Sequence, residues 1–525
     1  MNCKAVFSII ILMLVNKNAF SQINGSIINL SEIALSQNPV INRNNISTKT
    51  AEADIQMQHG IFDYNLFGNT SYQNSRYRLF NSDSRNQFIN KILNTNNLDI
   101  NAGIQQRLRT SQIIEFAINF TYNDTNLPYN SFSQQINPFI GDYTGTFNFT
   151  LTQPLLKGRG RNITTINERV SNLNLDIINS QNIYSASNEI LQVGNAYWSY
   201  YTAYKSLEIY KQNEARVRNV LNMTEELVKA DKKPAGDLLQ IKADLANQEK
   251  LTIQAKQNLN NVKTNLAIAV GINEDKAQLI DNPIDTYPTI QESGYNENLV
   301  LEDYLEIAKQ NRTDLIGLEK SIEALELQAE LSKNNLKPTL DLAGFAFYGN
   351  SSQGNGKSFQ TTSLFKTEGQ YIGGGAKLTF NFAPNNNYAK GYYAKDLMVL
   401  EDQKIINSNI KRTLELNIAN ALYELSQNAL ALLRSKDAFE TYRLAFENEQ
   451  AKYQTGLTTL LNVILFQERL TSAELEYLRS QQLYATAIIK LRHETGTLIT
   501  SDNKKLSITN NSFYTIPNTL TSKSN

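Results

Sequence analysis

Residues able to do chemistry are scarce in this chain. Its 525 residues include two histidines and one cysteine. His59 and His493 fall on separate stretches with helical patterning, with no His/Cys/carboxylate cluster at metal-ligand spacing. Gly373-Gly374-Gly375 lies inside an alternating strand pattern. A phosphate-cradling loop would sit between a strand and a helix. No Ser/His/Asp nucleophile elbow is present. The chain therefore reads as a non-enzyme with no cofactor and no metal. Its 50 Lys+Arg balance 50 Asp+Glu, so no strongly basic surface is available for nucleic acid.

The elements that remain must therefore serve transport or architecture, and the N-terminus indicates where. Met1 to Lys4 is short and basic, Ala5 to Val15 is apolar, and Ala19-Phe20-Ser21 carries the small residues a signal peptidase reads. Residues 1–21 are expected to be a secretory signal peptide. An apolar run this short does not span a bilayer, and Cys3 precedes it, so no lipid-modified Cys is readable. No later segment has 18 consecutive apolar residues, so a mature chain that enters a membrane does so as β-strands.

Two stretches correspond at an offset of about 222 residues. PAGDLLQIKADL, from Pro234, and GLTTLLNVILFQ, from Gly456, pair Leu238 with Leu460, Leu239 with Leu461 and Ile241 with Val463. Upstream, LSEIALSQNPVI (from Leu30) resembles LEIAKQNRTDLI (from Leu305). The order in each half is helix, strands, long helix, turn, long helix. This predicts a first repeat over 22–290, with a helix, four strands at about 61–154 and long helices to 271. A second repeat spans 291–500, with a helix, two strands at about 338–382 and long helices. A polar tail occupies 501–525. Leu238, Ile241, Leu245, Gln248, Thr252, Ala255, Leu259, Val262, Leu266 and Ala269 keep a 3,4 rhythm. Leu460, Val463, Leu470, Tyr477, Tyr484, Ile488 and Leu491 do the same, interrupted by Gln467, Glu474 and Gln481. Such a period predicts a left-handed coiled-coil seam. Residues 162–230 as one helix would run ~100 Å.

Alternation marks the strands. It is clear over 98–108, 114–122, 143–152 and 372–382, and weaker at Phe62, Tyr64 and Leu66 and over 339–348. Segments of about ten residues with one apolar face fit a transmembrane barrel, and a soluble sandwich would alternate in the same way. Residues 77–97, 124–141 and 350–369 read as long outer loops, and Arg109-Thr110-Ser111 as a tight periplasmic turn. Six strands cannot close a barrel alone, and an open edge in lipid is not viable. The expected fold is thus an α+β membrane protein built from two structural repeats. A trimeric outer-membrane β-barrel is continued by a long periplasmic α-helical coiled-coil barrel.

The LTQPLLKGRGRN transition (Leu151 to Asn162), the YQTGLTTLLNV turn (Tyr453 to Val463), the leader and the paired halves together resemble the TolC family of outer-membrane efflux and secretion channels. The resemblance covers nearly the whole mature chain. It implies a homotrimer in outer-membrane lipid, a helical domain in the periplasm, a periplasmic adaptor (membrane fusion) protein and, through it, an inner-membrane pump. The implied function is a passive conduit in a tripartite efflux or type I secretion system. A trimeric coiled-coil surface or adhesin-like protein without a pore is the alternative. The resemblance also places a pore constriction at Gln240, Tyr453, Thr458, Asn462 and Leu465. It places adaptor-contact tips at Pro234, Ala235, Gly236, Thr455, Gly456 and Leu457. Two departures stand out. Asn462, Leu465 and Gln240 occupy positions where well-known members carry Asp, so the constriction is expected to respond less to divalent cations, with Asp237 and Asp244 near enough to compensate. An additional hairpin at about 98–123 would raise the trimer from twelve strands to eighteen, unless it folds outside the wall or into the lumen. Lys157, Arg159 and Arg161 form a basic cluster suited either to lipid headgroups or to a solvated turn.

Overall fold

A computed structural model describes residues 23–87, 89–126, 142–353, 369–502 and 505–518. The expected signal peptide and most of the 124–141 and 350–369 loops lie outside the described residues. The chain divides into two compact units. One comprises Met1–Lys49, Asp176–Glu319 and Ile406–Asn525, and is helical. The other comprises Thr50–Leu175 and Lys320–Ile405, and holds the main sheet.

The principal elements, in chain order, are α1 (Ile27–Gln37), α2 (Pro39–His59), β1 (Tyr64–Arg78), β2 (Ile92–Arg107), β3 (Ile113–Thr125), β4 (Asp142–Pro154), α3 (Ile166–Lys229), α4 (Gly236–Val270), α5 (Leu301–Asn311), α6 (Thr313–Asn334), β5 (Thr339–Gln353), β6 (Gln370–Asn381), α7 (Asn387–Gln454) and α8 (Leu460–Glu494). The order helix–helix–strands–long helix–long helix thus occurs twice. Helices α3 and α7 run 64 and 68 residues without interruption.

In the sheet unit all six strands form one antiparallel sheet in sequence order. The hairpin β2–β3, the additional one in the sequence reading, is inserted between β1 and β4 as a full member. The register brings the alternating apolar residues of β2, β3, β4 and β6 to one face. One row runs Gly68–Ala102–Ile118–Phe147–Tyr348–Ile372, and a second Leu66–Ile104–Phe116–Phe149–Ala346–Gly374. Between them, on the opposite face, runs Phe67–Gly103–Ala117–Asn148–Phe347–Gly373; the next polar-face row is Asn69–Asn101–Asn119–Thr146–Gly349–Tyr371. A side-chain period of two makes this parity all-or-none: a one-residue slip in any pair would reverse a strand's faces. The apolar face is bare, with Leu66, Phe116, Ile372, Leu378 and Phe380 all more than half exposed. Among the described residues β1 and β6 each pair on one side only.

Two sequence expectations change here. The strands reach 12–16 residues, longer than the alternation suggested. Phe62 is not in β1 but is buried at the end of the turn before it. The outer half of β1, Thr70 to Arg78, has no apolar alternation and is held by its backbone ladder to β2. The Gly373-Gly374-Gly375 run makes room for rings. A Cβ on Gly373 would lie 2.4 Å from the Phe347 ring, and one on Gly375 2.8 Å from that of Phe345. Phe67 covers Gly103 and Tyr371 covers Gly349 in the same way. Aromatic rings laid over cross-strand glycines cover the exposed backbone and pin the register.

The tight turn Arg109-Thr110-Ser111 does form. Leu108 N–H donates to the Gln112 carbonyl at 2.8 Å, and Ser111 takes a positive φ. Arg109 grips Glu168, in the first turn of α3, through three bonds of 2.6–3.1 Å, and His59 reaches the same carboxylate at 3.1 Å. Arg109 holds the Glu168 carboxyl below the usual carboxylate range.

In the helical unit the 3,4 seam is the packed face. All ten of its α4 residues are buried or half-buried, and Ile241 and Val463 are both fully buried. The positions paired at the 222-residue offset share their exposure: Leu239 and Leu461 both face out. Each long helix pair ends against a helix break. Gly271 closes α4 at φ 83 and Gly496 follows α8 at φ 72, with Ile272 N–H returning to the Ala267 carbonyl and Thr497 N–H to that of Arg492. These are left-handed caps of the Schellman type. A Cβ on Gly271 would meet Asn38, between α1 and α2, at 2.7 Å, and one on Gly496 would meet Asn311 at 2.8 Å, where α5 ends. Because both the positive φ and backbone contact oppose a side chain, Gly271→Ala and Gly496→Ala should each cost about 1–3 kcal/mol. Gly236→Ala, at a helix start with open space around it, should be neutral. Thermal melting followed by helical circular dichroism checks the contrast.

The base of this unit is an aromatic core. Trp198 is fully buried among Tyr197, Tyr201, Tyr287 and Tyr514. Asp285 accepts from Ile27 N–H at 2.7 Å, capping α1, and from the Tyr197 hydroxyl at 2.6 Å. The segment after 501, polar by composition, nevertheless buries Phe513 and Ile516. Arg492 pins it through the Thr515 and Ile516 carbonyls.

Candidate functional site

The residues expected to act lie at the two helix turns, α3–α4 and α7–α8, both in the helical unit. The chain turns after α7 because Gly456 adopts φ 77, letting Leu457 N–H bond back to the Lys452 carbonyl at 2.9 Å. Thr459 then caps α8, its hydroxyl accepting from Asn462 N–H. The α3–α4 turn works differently from the sequence expectation. Gly236 does not break the helix; it is the first residue of α4. Asp231 takes the left-handed position instead (φ 53), with Lys232 N–H returning to Leu227. Asp tolerates that conformation better than most residues with a Cβ, and Pro234 bars any continuation of α3.

All six tip residues, Pro234, Ala235, Gly236, Thr455, Gly456 and Leu457, are exposed, and Leu457 is 79% so. Of the five constriction residues, Gln240, Asn462 and Leu465 are exposed, Thr458 is half-buried, and Tyr453 is fully buried. Its ring packs with Val217, Val220, Ile241, Leu460 and Val463, because the α7 seam turns it inward. Its hydroxyl lies 3.2 Å from Thr224 Oγ1 on α3, and burial raises its pKa.

The two turns are tied together. Lys233 Nζ donates to the Thr458 carbonyl at 3.0 Å and sits 5.0 Å from the Tyr453 ring centroid. Thr458 donates its hydroxyl to Glu449 and accepts from Asn462 Nδ2 at 3.1 Å. Glu449 also accepts from Lys452 at 3.2 Å. The Thr458 hydroxyl, and then Lys452, hold the Glu449 carboxyl below its ordinary range. Sequence reasoning did not single out Glu449 or Lys233 as linking the two turns. Their only signal was proximity to the turns, since an apolar pattern says nothing of polar partners 225 residues apart.

Farther up the same hairpins is a polar layer. Asn213 Nδ2 donates to Gln248 Oε1 at 2.8 Å, Gln467 Nε2 donates to Asn213 Oδ1 at 3.0 Å, and Arg216 pairs with Glu474 at 2.8 Å. Gln467 and Glu474, which interrupt the heptad pattern, and Gln248, a seam position, thus find partners on α3.

His493, expected on an ordinary helix face, is buried. Its Nδ1 lies 3.0 Å from Ser187 Oγ and its ring stacks on Tyr184. Beside it, buried Arg312 is bidentate to Asp314 at 2.8 Å, reaches Glu494 at 3.3 Å, and stands 4.3 Å over the Tyr184 ring. Burial, and then Arg312, push the His493 pKa down to about 4. Tyr184, Ser187 and Arg312 line a cavity of about 440 Å³, but the charged groups of the cluster satisfy one another. Among the described residues no group of three or more His, Cys, Asp or Glu could hold a metal ion, and no helix is long and apolar enough to cross a membrane.

No protein-family model and no curated relative matches the sequence. Solved structures do. The outer membrane protein VceC from Vibrio cholerae is 15% identical, with a TM-score of 0.63 over 90% of this chain and 96% of its own. The Campylobacter jejuni outer membrane channel CmeC is 13% identical, with a TM-score of 0.62 over 90% of this chain and 85% of its own. The Neisseria gonorrhoeae outer membrane channel MtrE, in its open state, is 14% identical, with a TM-score of 0.58 over 92% and 93%. The chain therefore has the fold of these outer-membrane channels.

Proposed function

We propose that this chain is one protomer of a homotrimeric outer-membrane channel. It would serve as a passive conduit in a tripartite efflux or type I secretion system. The observation that supports this most is the sheet: six antiparallel strands, one continuous bare apolar face, and two free edges. An apolar face of this extent needs lipid or a partner to cover it, and free edges need strands. Three copies joined β6 to β1 would close an eighteen-strand barrel, apolar face outward and the Asn/Thr-rich face lining water. The parity of the register requires that even-numbered residues of β6 meet even-numbered residues of β1 across each seam. The long hairpins would extend as a periplasmic tunnel, with the exposed tips meeting the adaptor of an inner-membrane pump. Energy would come from the pump.

The links at the tips would hold the conduit closed. Breaking Lys233's bond to Thr458 and its contact with the Tyr453 ring separates the two turns of one chain. Single-channel recording of the purified full-length protein in planar bilayers tests this reading. Wild type should insert as a trimer and conduct weakly, with little block by millimolar magnesium because exposed amides rather than carboxylates occupy positions 240 and 462. Lys233→Gln should raise its conductance severalfold. A particle that never conducts, in either form, would favour a stalk without a pore.

A further inference from the structure

One end of the sheet unit gathers cations that have no carboxylate at ion-pair distance among the described residues. Hydrogen bonds place three segments side by side there. Leu155 N–H donates to the Leu340 carbonyl at 2.7 Å, Lys157 N–H to that of Pro338 at 3.3 Å, and Gly158 N–H to Asn334 Oδ1 at 2.8 Å. Asn386 Nδ2 donates to the Leu336 carbonyl at 3.2 Å, bringing in the start of α7. Lys157, Arg159, Arg161, Lys333, Lys337 and Lys390 are carried on these segments, all exposed except half-buried Lys157. Among the described residues none of the six is within ion-pair distance of a carboxylate. Glu168 feels Arg161 but is already taken by Arg109 and His59. Asp396 accepts from Ser332.

Large apolar and aromatic side chains stand exposed at the same level. Tyr64 opens β1, Phe380 and Phe382 close β6, Tyr388 and Tyr392 begin α7, and Leu156 sits inside the basic segment. Here the bare apolar face of the sheet ends. The opposite end is electrically mixed: Arg85 is bidentate to Asp83, and Asp124 and Asp142 stand at the ends of β3 and β4.

We propose that this end of the sheet is a binding girdle for anionic phospholipid. The apolar face takes the acyl chains, the exposed tyrosines and phenylalanines lie at the boundary, and the six cations take the phosphates. Aromatic side chains collect at membrane interfaces, and a basic cluster bordering an apolar wall is attracted to anionic headgroups, each cation contributing about fivefold in affinity. The occupant is a phospholipid because the charge borders an acyl-chain surface; a free phosphate would need no such border. The proposal rests on the reading of the sheet as a membrane wall.

Retention of fluorescent phosphatidylglycerol by immobilised, delipidated full-length trimer in mild detergent tests it, with phosphatidylcholine of the same acyl chains and inorganic phosphate as competitors. Wild type should prefer phosphatidylglycerol, and the preference should fall with added salt. The triple variant Lys157→Gln, Arg159→Gln, Arg161→Gln should lose at least tenfold, from an expected ceiling of about a hundredfold. The charge-keeping variant Lys157→Arg, Arg159→Lys, Arg161→Lys should bind as wild type does. A control triple on α7, Lys404→Gln, Arg434→Gln, Lys436→Gln, should not change binding. Equal retention of the two lipids, or a neutralised triple that binds as wild type does, overturns the proposal, as does full competition by inorganic phosphate. Should the neutralised triple fail to assemble, the wild-type salt dependence and Lys337→Gln with Lys390→Gln decide. Protein that conducts in bilayers yet shows no lipid preference removes this proposal alone. Protein that never inserts removes the membrane-wall reading beneath it.

Discussion

Ile118→Arg should prevent the protein from reaching outer membranes as a folded trimer, while Asn119→Arg, one residue on, should not. Ile118 lies mid-strand in the row Gly68–Ala102–Ile118–Phe147–Tyr348–Ile372, on the bare apolar face. An arginine facing lipid near the bilayer centre costs about 2–4 kcal/mol per chain, and a trimer incurs it three times. Asn119 stands between Asn101 and Thr146 on the other face, where water would hydrate an added guanidinium. Membrane fractionation with a heat-modifiable gel shift compares the two variants directly. If both assemble, or neither does, the assignment of faces is wrong. The contrast is informative because both substitutions add the same positive charge at neighbouring positions on opposite faces of the strand.

The second large effect concerns His493. Its folded pKa of about 4 lies below the ordinary 6.5, through burial first and Arg312 second. From other elements Asp314 and Ser187 also face it, Asp314 acting in the opposite direction. A depressed histidine is neutral in the folded chain and protonates more readily in the unfolded one. Its contribution is therefore complete above pH 6.5 and is lost as the pH falls towards about 4, by up to about 3 kcal/mol per chain. His493→Gln should flatten that part of the pH dependence. Melting midpoints at pH 7.5 and 5.0 should fall further for wild type than for the variant, and equal falls would remove the explanation. Carboxylates titrating in the same window are common to both proteins and cancel. Arg312→Met should be harsher, about 3–5 kcal/mol, because it leaves Asp314 and Glu494 without their buried partner.

Much of this was legible in the residues. The 3,4 rhythm from Leu238 to Ala269 is the packed seam, and Gly271 and Gly496 end their helices where the periodicity stops. Alternation over 98–122 and 143–152 identified strands β2 to β4, and the scarcity of His and Cys kept the search away from catalysis. These features are local: a helix seam, a strand face or a left-handed cap depends on residues within a turn or two of one another. The sequence by itself therefore determined which elements form, which face of each is apolar and where the chain turns.

Tertiary structure decided the rest, because the deciding partners lie on other elements, 35 residues away for Asn213 and Gln248 and 229 for Thr224 and Tyr453. The outer half of β1 has no pattern of its own and becomes a strand only on the β2 ladder. Tyr453, which the resemblance places at the constriction, is buried in a cluster with residues of α3, α4 and α8, its hydroxyl beside Thr224. Gln467 and Glu474 interrupted the heptad and are partners of Asn213 and Arg216, and Gln248, a seam position, also pairs with Asn213. His493 looked like surface and is buried beside Arg312. Phe513 and Ile516, in a segment read as a polar tail, close the base of the helical unit. Apolar periodicity records how much of a face is buried; which polar group meets which is written only in the packing, where an unpaired buried charge or amide would cost more than the chain's net stability can spare.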